Sequence, residues 1–583
     1  MDLKSQLSYP CENLNLGRHL KLTFHQGIVI FSLFNFLNNG YAQIVPDAGA
    51  LRQQIERDRI MLLPSISSPS ILQEKKILKP SSGPRVLLKN IQFLGNELLT
   101  DAELMVNVNS YLNQHHTLSQ LQEIAGLVAK TYRDAGWVAH AYLPAQDVTE
   151  GVIKIQLVEA IFGAVQLETP AANRISVEPL IHYFDTSQKG GQPLNAHAFE
   201  RALLLADDLP GLSISGTLRE GERERETDLI VTVTDKALIS GDFSIDNAGA
   251  RSTGKERLIF SGNFSNFITL ADWGGINLMH TQGSDYVRLA RTIPVGFDGL
   301  RIGGSASSMK YKLITQDFSL LGAQGISDAI GVEANYPLIR TRRRNLNVNI
   351  NVDHKSFDNQ SNGATTTRYR SETLTVGLSG QSFGSNEKNR FTFGNFSWVT
   401  GLLDLNGSPN QAADAITVQA NGHFNKVRYT FGHQEEITNG WSIYSVLSGQ
   451  WANKNLDSSE KFYLGGSTGV RAYPTSEGAG TLGTMMNLEV RKRVAENVTL
   501  TAFYDWGRIV INRYNEFENA PTLNGYVLRG KGLTWSQQYR DGKSVKATWA
   551  RRIGSNPNPT TNGHDQDGSL IENSFWLSAS IAY

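Results

Sequence analysis

The sequence predicts an all-β transmembrane barrel of about 16 antiparallel strands, preceded by an N-terminal helix and two small α+β units. Three observations predict it. Residues 238–583 alternate apolar and polar side chains with a period near two, interrupted by Gly, Asn and Asp turns. The second faces of these strands carry Ser, Thr, Asn and charged groups, too polar for the middle of a sandwich; a lipid-facing wall around a hydrated bore accommodates them. The chain ends in "NSFWLSASIAY", where Phe575, Leu577, Ala579, Ile581 and Tyr583 share one face of a last strand and Trp576, Ser578 and Ser580 the other.

Composition agrees. Fifty-five basic residues balance 55 acidic ones, so no global field marks a nucleic-acid binder. Residues 1–42 read as a targeting segment: Lys4, Arg18 and Lys21 supply positive charge, "GIVIFSLFNFL" an apolar core, and Gly40, Tyr41 and Ala42 lead to a cleavage point. That core is shorter than the roughly 20 residues a membrane helix needs. Cleavage before Gln43 removes Cys11, the only cysteine, and with it any disulfide or thiolate metal site.

Residues 43–63 contain a helix, in which Leu51, Ile55 and Leu62 recur at helical spacing while Arg52, Gln53, Glu56, Arg57 and Arg59 make a wet side. So thin an apolar face stabilises poorly by itself, which calls for a polar cavity around most of the helix. Pro64, Pro69, Pro80 and Pro84 with intervening serines make residues 64–84 a flexible, extended linker. Residues 85–160 follow the order strand, helix, helix, strand, strand. "RVLLKNIQFLGN" opens the unit, and Thr117 and Gln120 have capping-box spacing ahead of a stripe of Leu121, Ile124, Val128 and Tyr132. The order repeats over residues 161–237, where Asn195 caps a helix that buries Phe199, Leu203 and Ala206. Each unit covers one sheet face and leaves an edge able to accept a partner's strand.

Within the barrel region, "FYLGGSTGVRAYPTSEGAGTLG" (462–483) sets one arginine among glycines. It is not a phosphate loop, because the G-x-x-x-x-G-K-[S/T] pattern opening a helix is missing. In "LTAFYDWGRIV", Phe503, Asp505 and Gly507 share a strand face. If that face points inward, Asp505 can receive two hydrogen bonds from Arg471, a fork that lysine lacks, and Gly507 leaves space for the entering loop. Luminal water is expected to solvate either charge when its partner is removed. No localised Ser-His-Asp set, helical H-x-x-x-H or cysteine cluster points to catalysis; His354 and His423 read as turn or strand-face residues. No catalytic, cofactor-binding or metal-binding residue is expected.

Val470, Arg471, Ala472 and Tyr473 are similar to the V-R-G-Y loop motif of two-partner secretion transporters, the TpsB family of the Omp85 superfamily. Phe503 to Gly507 resembles that family's F-x-D-x-G strand motif, with Ala472 standing where the loop motif has glycine. The resemblance spans the mature chain and is strongest to the CdiB type, which exports contact-dependent inhibition toxins. It implies that the helix plugs the resting pore and that 85–160 and 161–237 are periplasmic POTRA domains. These would receive an unfolded large exoprotein, TpsA- or CdiA-like, through its N-terminal secretion domain, for export through the barrel of 238–583 without direct nucleotide hydrolysis. The implied surroundings are outer-membrane lipid and lipopolysaccharide, periplasmic chaperones and the barrel assembly machinery, with a functional monomer and no nucleic acid. A barrel assembly factor and an outer-membrane barrel enzyme stand as alternatives at this stage.

Overall fold

The computed structural model describes residues 45–61, 84–168, 178–269, 271–384 and 389–583; the leader, Leu62 and nearly all of the linker fall outside them. Sixteen strands between Ile239 and Ala582 close into an antiparallel barrel, each paired with the next and the last with the first. Closure removes the unpaired edges that lipid would not tolerate. Alternation then sorts the faces. In the strand Gln324–Arg340, Ile326, Ile330 and Val332 are exposed on the outside, whereas Ser327 and Ala329 are buried within. Phe575, Leu577, Ile581 and Tyr583 lie exposed on the outer face of the last strand, Asn573–Ala582. No helix among the described residues is long and apolar enough to cross a membrane.

The closing seam is short. Its register runs from Ser578 opposite Asp246 to Ala582 opposite Asp242. Asn247 extends it with its side chain, which accepts from the Leu577 N–H at 2.9 Å and donates to the Phe575 carbonyl at 2.9 Å.

The first unit contains the helices Asp101–Met105 and Leu118–Asp134 against the sheet formed by Asn90–Leu94, Val152–Glu159 and Ala139–Tyr142. The single opening strand expected from sequence is two strands. Lys89 and Asn90 both donate to the Gly151 carbonyl, at 2.8 and 3.2 Å, which interrupts the run. Its first half, Arg85–Leu88, pairs with Gln114–Thr117, a strand the sequence reading did not contain. The capping box at Thr117 and Gln120 is formed, and Leu121, Ile124, Val128 and Tyr132 are buried. The Tyr132 hydroxyl donates to Glu159 at 2.8 Å, and the same carboxylate oxygen accepts the N–H groups of Glu97 and Leu98. Burial, together with the carboxylate, pushes the Tyr132 phenol up from its ordinary range.

The second unit repeats the order with Ile161–Leu167, the helices Glu178–Ser187 and Ala196–Asp207, then Leu212–Glu220 and Glu226–Asp235. Asn195 accepts from the N–H groups of His197 and Ala198, both at 3.0 Å. Ala202, Leu205 and Ala206 enter the core, with Phe199 and Leu203 packed against it. This unit is seated on the near end of the barrel, where the chain enters the first barrel strand. Arg340 makes two bonds to Asp208, at 2.6 and 2.7 Å; Arg201 reaches Asp298 at 3.1 Å and the Pro337 carbonyl at 2.8 Å; Phe297 meets the Tyr183 ring edge-on at 5.4 Å.

Candidate functional site

The bore holds two insertions. One is the helix Ala48–Met61. Leu51 is buried in a cluster with Met309, Tyr311, Phe357 and Tyr369, and Ile55 packs against it. The polar side, for which the sequence calls for a polar cavity, is bonded to the wall. Arg52 donates to Ser307 at 2.6 Å and pairs with Glu56, which accepts from the Tyr286 hydroxyl at 2.9 Å. The Ala48 N–H donates to Asn359 at 2.9 Å, and Asp58 pairs with Arg257 at 2.7 Å. A barrel interior lined by alternate polar residues supplies the polar cavity that the thin apolar face requires.

The second insertion is the segment between the strands Trp441–Ala452 and Leu482–Ala495. Two short strands, Phe462–Tyr463 and Ala479–Gly480, pair to make its stalk. At the tip, the Val470 N–H donates to the Leu464 carbonyl at 2.7 Å and the Gly466 N–H to the Tyr473 carbonyl at 3.1 Å. Gly466 has φ +105°, which L side chains rarely adopt.

The tip brings Arg471 to Asp505. Arg471 Nη2 and Nε reach the two carboxylate oxygens at 2.7 and 2.9 Å, and the Arg471 N–H donates to the same group at 3.0 Å. The remaining guanidinium nitrogen, Nη1, donates to Glu489 at 2.8 Å, and the guanidinium carbon lies 3.5 Å from the centre of the Phe503 ring. Asn487 donates to Asp505 at 2.7 Å and to the Gly469 carbonyl at 3.0 Å. From the last strand, Trp576 Nε1 donates to the Arg471 carbonyl at 2.8 Å. Asp505 has no solvent exposure and Arg471 is 6% exposed, so in the intact seat loop and wall keep water from both charges.

The apolar neighbours set the seat. A Cβ on Gly507 would lie 2.6 Å from Leu464 Cδ2 and 3.1 Å from Val470 Cγ2, so this position is kept empty for the loop. Ala472, Tyr473 and Val470 are buried with Phe503 and Leu528. The methyl of Ala472 fits because the wall has Gly530 opposite, whose Cβ would stand 2.7 Å from it.

Helix and loop also touch each other. Arg57 donates to the Tyr463 carbonyl at 3.1 Å, and the Thr468 hydroxyl donates to Asp58 at 3.1 Å. Ser458 donates to Asp47 at 2.7 Å, while Glu460 ties that turn to the wall through Lys426 and through Lys355 at 2.8 Å.

The sequence reading named Arg471 and Asp505 but not Glu489, Asn487 or the Trp576 bond. Strand register would have found two of them, since Asn487 stands opposite Asp505 and Glu489 opposite Phe503. Among the described residues no group of three or more His, Cys, Asp or Glu could hold a metal ion.

A family model described as haemolysin secretion/activation protein ShlB/FhaC/HecB matches residues 225–532. A second, described as POTRA domain, ShlB-type, matches residues 86–160. The heme/hemopexin transporter protein HuxB of Haemophilus influenzae is 25% identical over 551 residues, 91% of this chain and 94% of that protein. The outer membrane transporter CdiB of Dickeya dadantii is 21% identical over 536 residues, 88% and 93% of the two chains. The solved structure of CdiB from Escherichia coli superposes with a TM-score of 0.68 at 16% identity, covering 93% of this chain and 99% of that one, a likeness of fold.

Proposed function

The chain belongs to the haemolysin secretion/activation family ShlB/FhaC/HecB, outer-membrane barrels with a periplasmic POTRA-type domain, and from that premise we propose how it exports an exoprotein. The carrying observation is the helix Ala48–Met61 in the bore, bonded to the wall and to the loop bearing Arg471. In our reading it is the resting plug, and residues 161–237 are a second POTRA domain beside the one at 86–160. The two receive an unfolded TpsA- or CdiA-like exoprotein through its N-terminal secretion domain, the open sheet edges offering main-chain hydrogen bonds. The plug leaves, the cargo crosses extended, and folding outside biases exit without nucleotide hydrolysis. Arg471 and Asp505 position the loop within the conduit. The motif likeness favours a CdiA-like toxin as cargo. The broader match to HuxB supports a second cargo reading, an exoprotein of haem or hemopexin handling.

Co-expression with candidate exoproteins of each class tests this. Cargo at the cell surface, sensitive to added protease only when this chain is present, is the expected result. No export of any cargo, with other barrels failing to insert when the chain is removed, would establish an assembly factor instead.

A further inference from the structure

The strand Arg344–Ser361 reads "NLNVNIN" from Asn345 to Asn351. Every second residue is an asparagine, and while Ile350 and Val352 are exposed on the lipid side, the asparagines face the bore. Neighbouring strands continue the chemistry: Asn335 stands opposite Asn349, Ser379 opposite Asn347 and Gln381 opposite Asn345. Asn335 donates to Asn349, which donates to Ser379 at 2.9 Å, and Arg340 donates to Asn345 at 3.2 Å. Among the described residues nothing hydrogen-bonds the side-chain amides of Asn347 or Asn351. The stripe begins at the near end of the barrel, where a cavity of about 260 Å³ separates Asn345, Asn347 and Gln381 from Tyr183, Leu205 and Leu209 of the second unit.

We propose that this asparagine stripe, with the cavity at its foot, is the track on which the barrel first holds the main chain of an extended, unfolded polypeptide. The proposal rests on the export reading and names its first luminal binding site. The two free amides, Asn347 and Asn351, are four residues apart on one strand face, about 13.6 Å, which is twice the roughly 6.8 Å repeat at which an extended guest presents its N–H and C=O groups along one edge. An amide side chain both donates and accepts, so it serves either group whatever the guest's sequence. It carries no charge, so neither acidic nor basic segments are trapped as they pass. Each such bond is worth little net against water, which suits a surface that must let go. The far side of the cavity is closed by Tyr183, Leu205 and Leu209, which stay within the core of the second unit, and by Arg301 and the paired Asp208 and Arg340.

The test uses full-length protein in proteoliposomes, with a photo-reactive label on a single cysteine at Asn347, Asn351 or, seven strands away around the wall, the half-buried Ser578. The probe is a disordered Gly-Ser-Thr peptide, and versions carrying Asp or Lys are compared. Cross-links at 347 and 351 exceeding those at 578, equal for neutral and charged peptides, are expected. In unlabelled protein, N347L/N351L should lower peptide occupancy about fivefold per amide lost, while N347Q/N351Q, which keeps the amides, restores it. Cross-links at 578 but not at 347 or 351, or equal binding by the Leu and Gln variants, would overturn the track and leave export standing. Absence of cross-links at all three positions, in protein whose helix-deleted form conducts ions, would overturn the track and count against export as well.

Discussion

Arg471→Ala should destabilise the barrel by about 3–5 kcal/mol, the cost of leaving a buried carboxylate unpaired. The lower end applies, because Asp505 keeps two donors that do not depend on the guanidinium, the Arg471 N–H and Asn487. Asp505→Ala should cost less, about 2–3 kcal/mol, since Arg471 retains Glu489 at 2.8 Å and the Phe503 ring. If the two side chains act through each other, the double variant should cost about as much as Arg471→Ala alone, a coupling of roughly 2–3 kcal/mol. Urea unfolding in detergent, followed by the heat-modifiable gel migration of folded barrels, supplies the cycle. Reversing both charges would not test the pair cleanly: an aspartate at 471 would face Glu489, so rescue is not expected. Single-variant costs that add to within about 0.5 kcal/mol would refute the pairing argument.

Three further outcomes are expected. Gly507→Leu should unseat the loop by collision with Leu464 and Val470 while the barrel still assembles, read as protease cleavage within 464–478 and lost export. Gly49→Leu, whose Cβ would lie 2.7 Å from both the Ser458 and Tyr369 hydroxyl oxygens, should displace the helix and raise steady ion conductance in planar bilayers towards that of a chain lacking residues 48–61. In the first unit, the raised Tyr132 pKa means that the folded form holds its proton more tightly than the unfolded chain. That stability is complete below the ordinary tyrosine value near ~10 and is lost as pH rises beyond it. Urea midpoints of the full chain in detergent should therefore fall above that pH, and Tyr132→Phe should flatten the fall. Trp137, the sole tryptophan outside the barrel, reports this transition while the barrel stays folded.

Much of the architecture was legible because strand alternation and helix spacing are local signals. The lipid-facing row ending at Tyr583 and the capping box at Thr117 could be read directly. Long-range pairing was less accessible. The break at Lys89 depends on the Gly151 carbonyl, and the pairing of Arg85–Leu88 with Gln114–Thr117 depends on how the intervening chain folds. At the site, motif residues pointed to Arg471 and Asp505, but Glu489 and Asn487 become neighbours only once the turn after Ala495 fixes the register. The need of the helix for polar surroundings was legible, but no local pattern shows that Ser307, hundreds of positions away, will supply a partner for Arg52.

The Trp576 bond carries a consequence for the order of assembly. Its acceptor, the Arg471 carbonyl, lies 105 positions earlier in the chain, and its donor sits on the strand that completes the cylinder. The tip therefore gains its last tether only after the C-terminal strand has taken its place. Maturation of the conduit is thereby completed only when the wall is whole: a half-built sheet can seat the arginine on Asp505 and Glu489 but leaves its carbonyl without the indole that locks it.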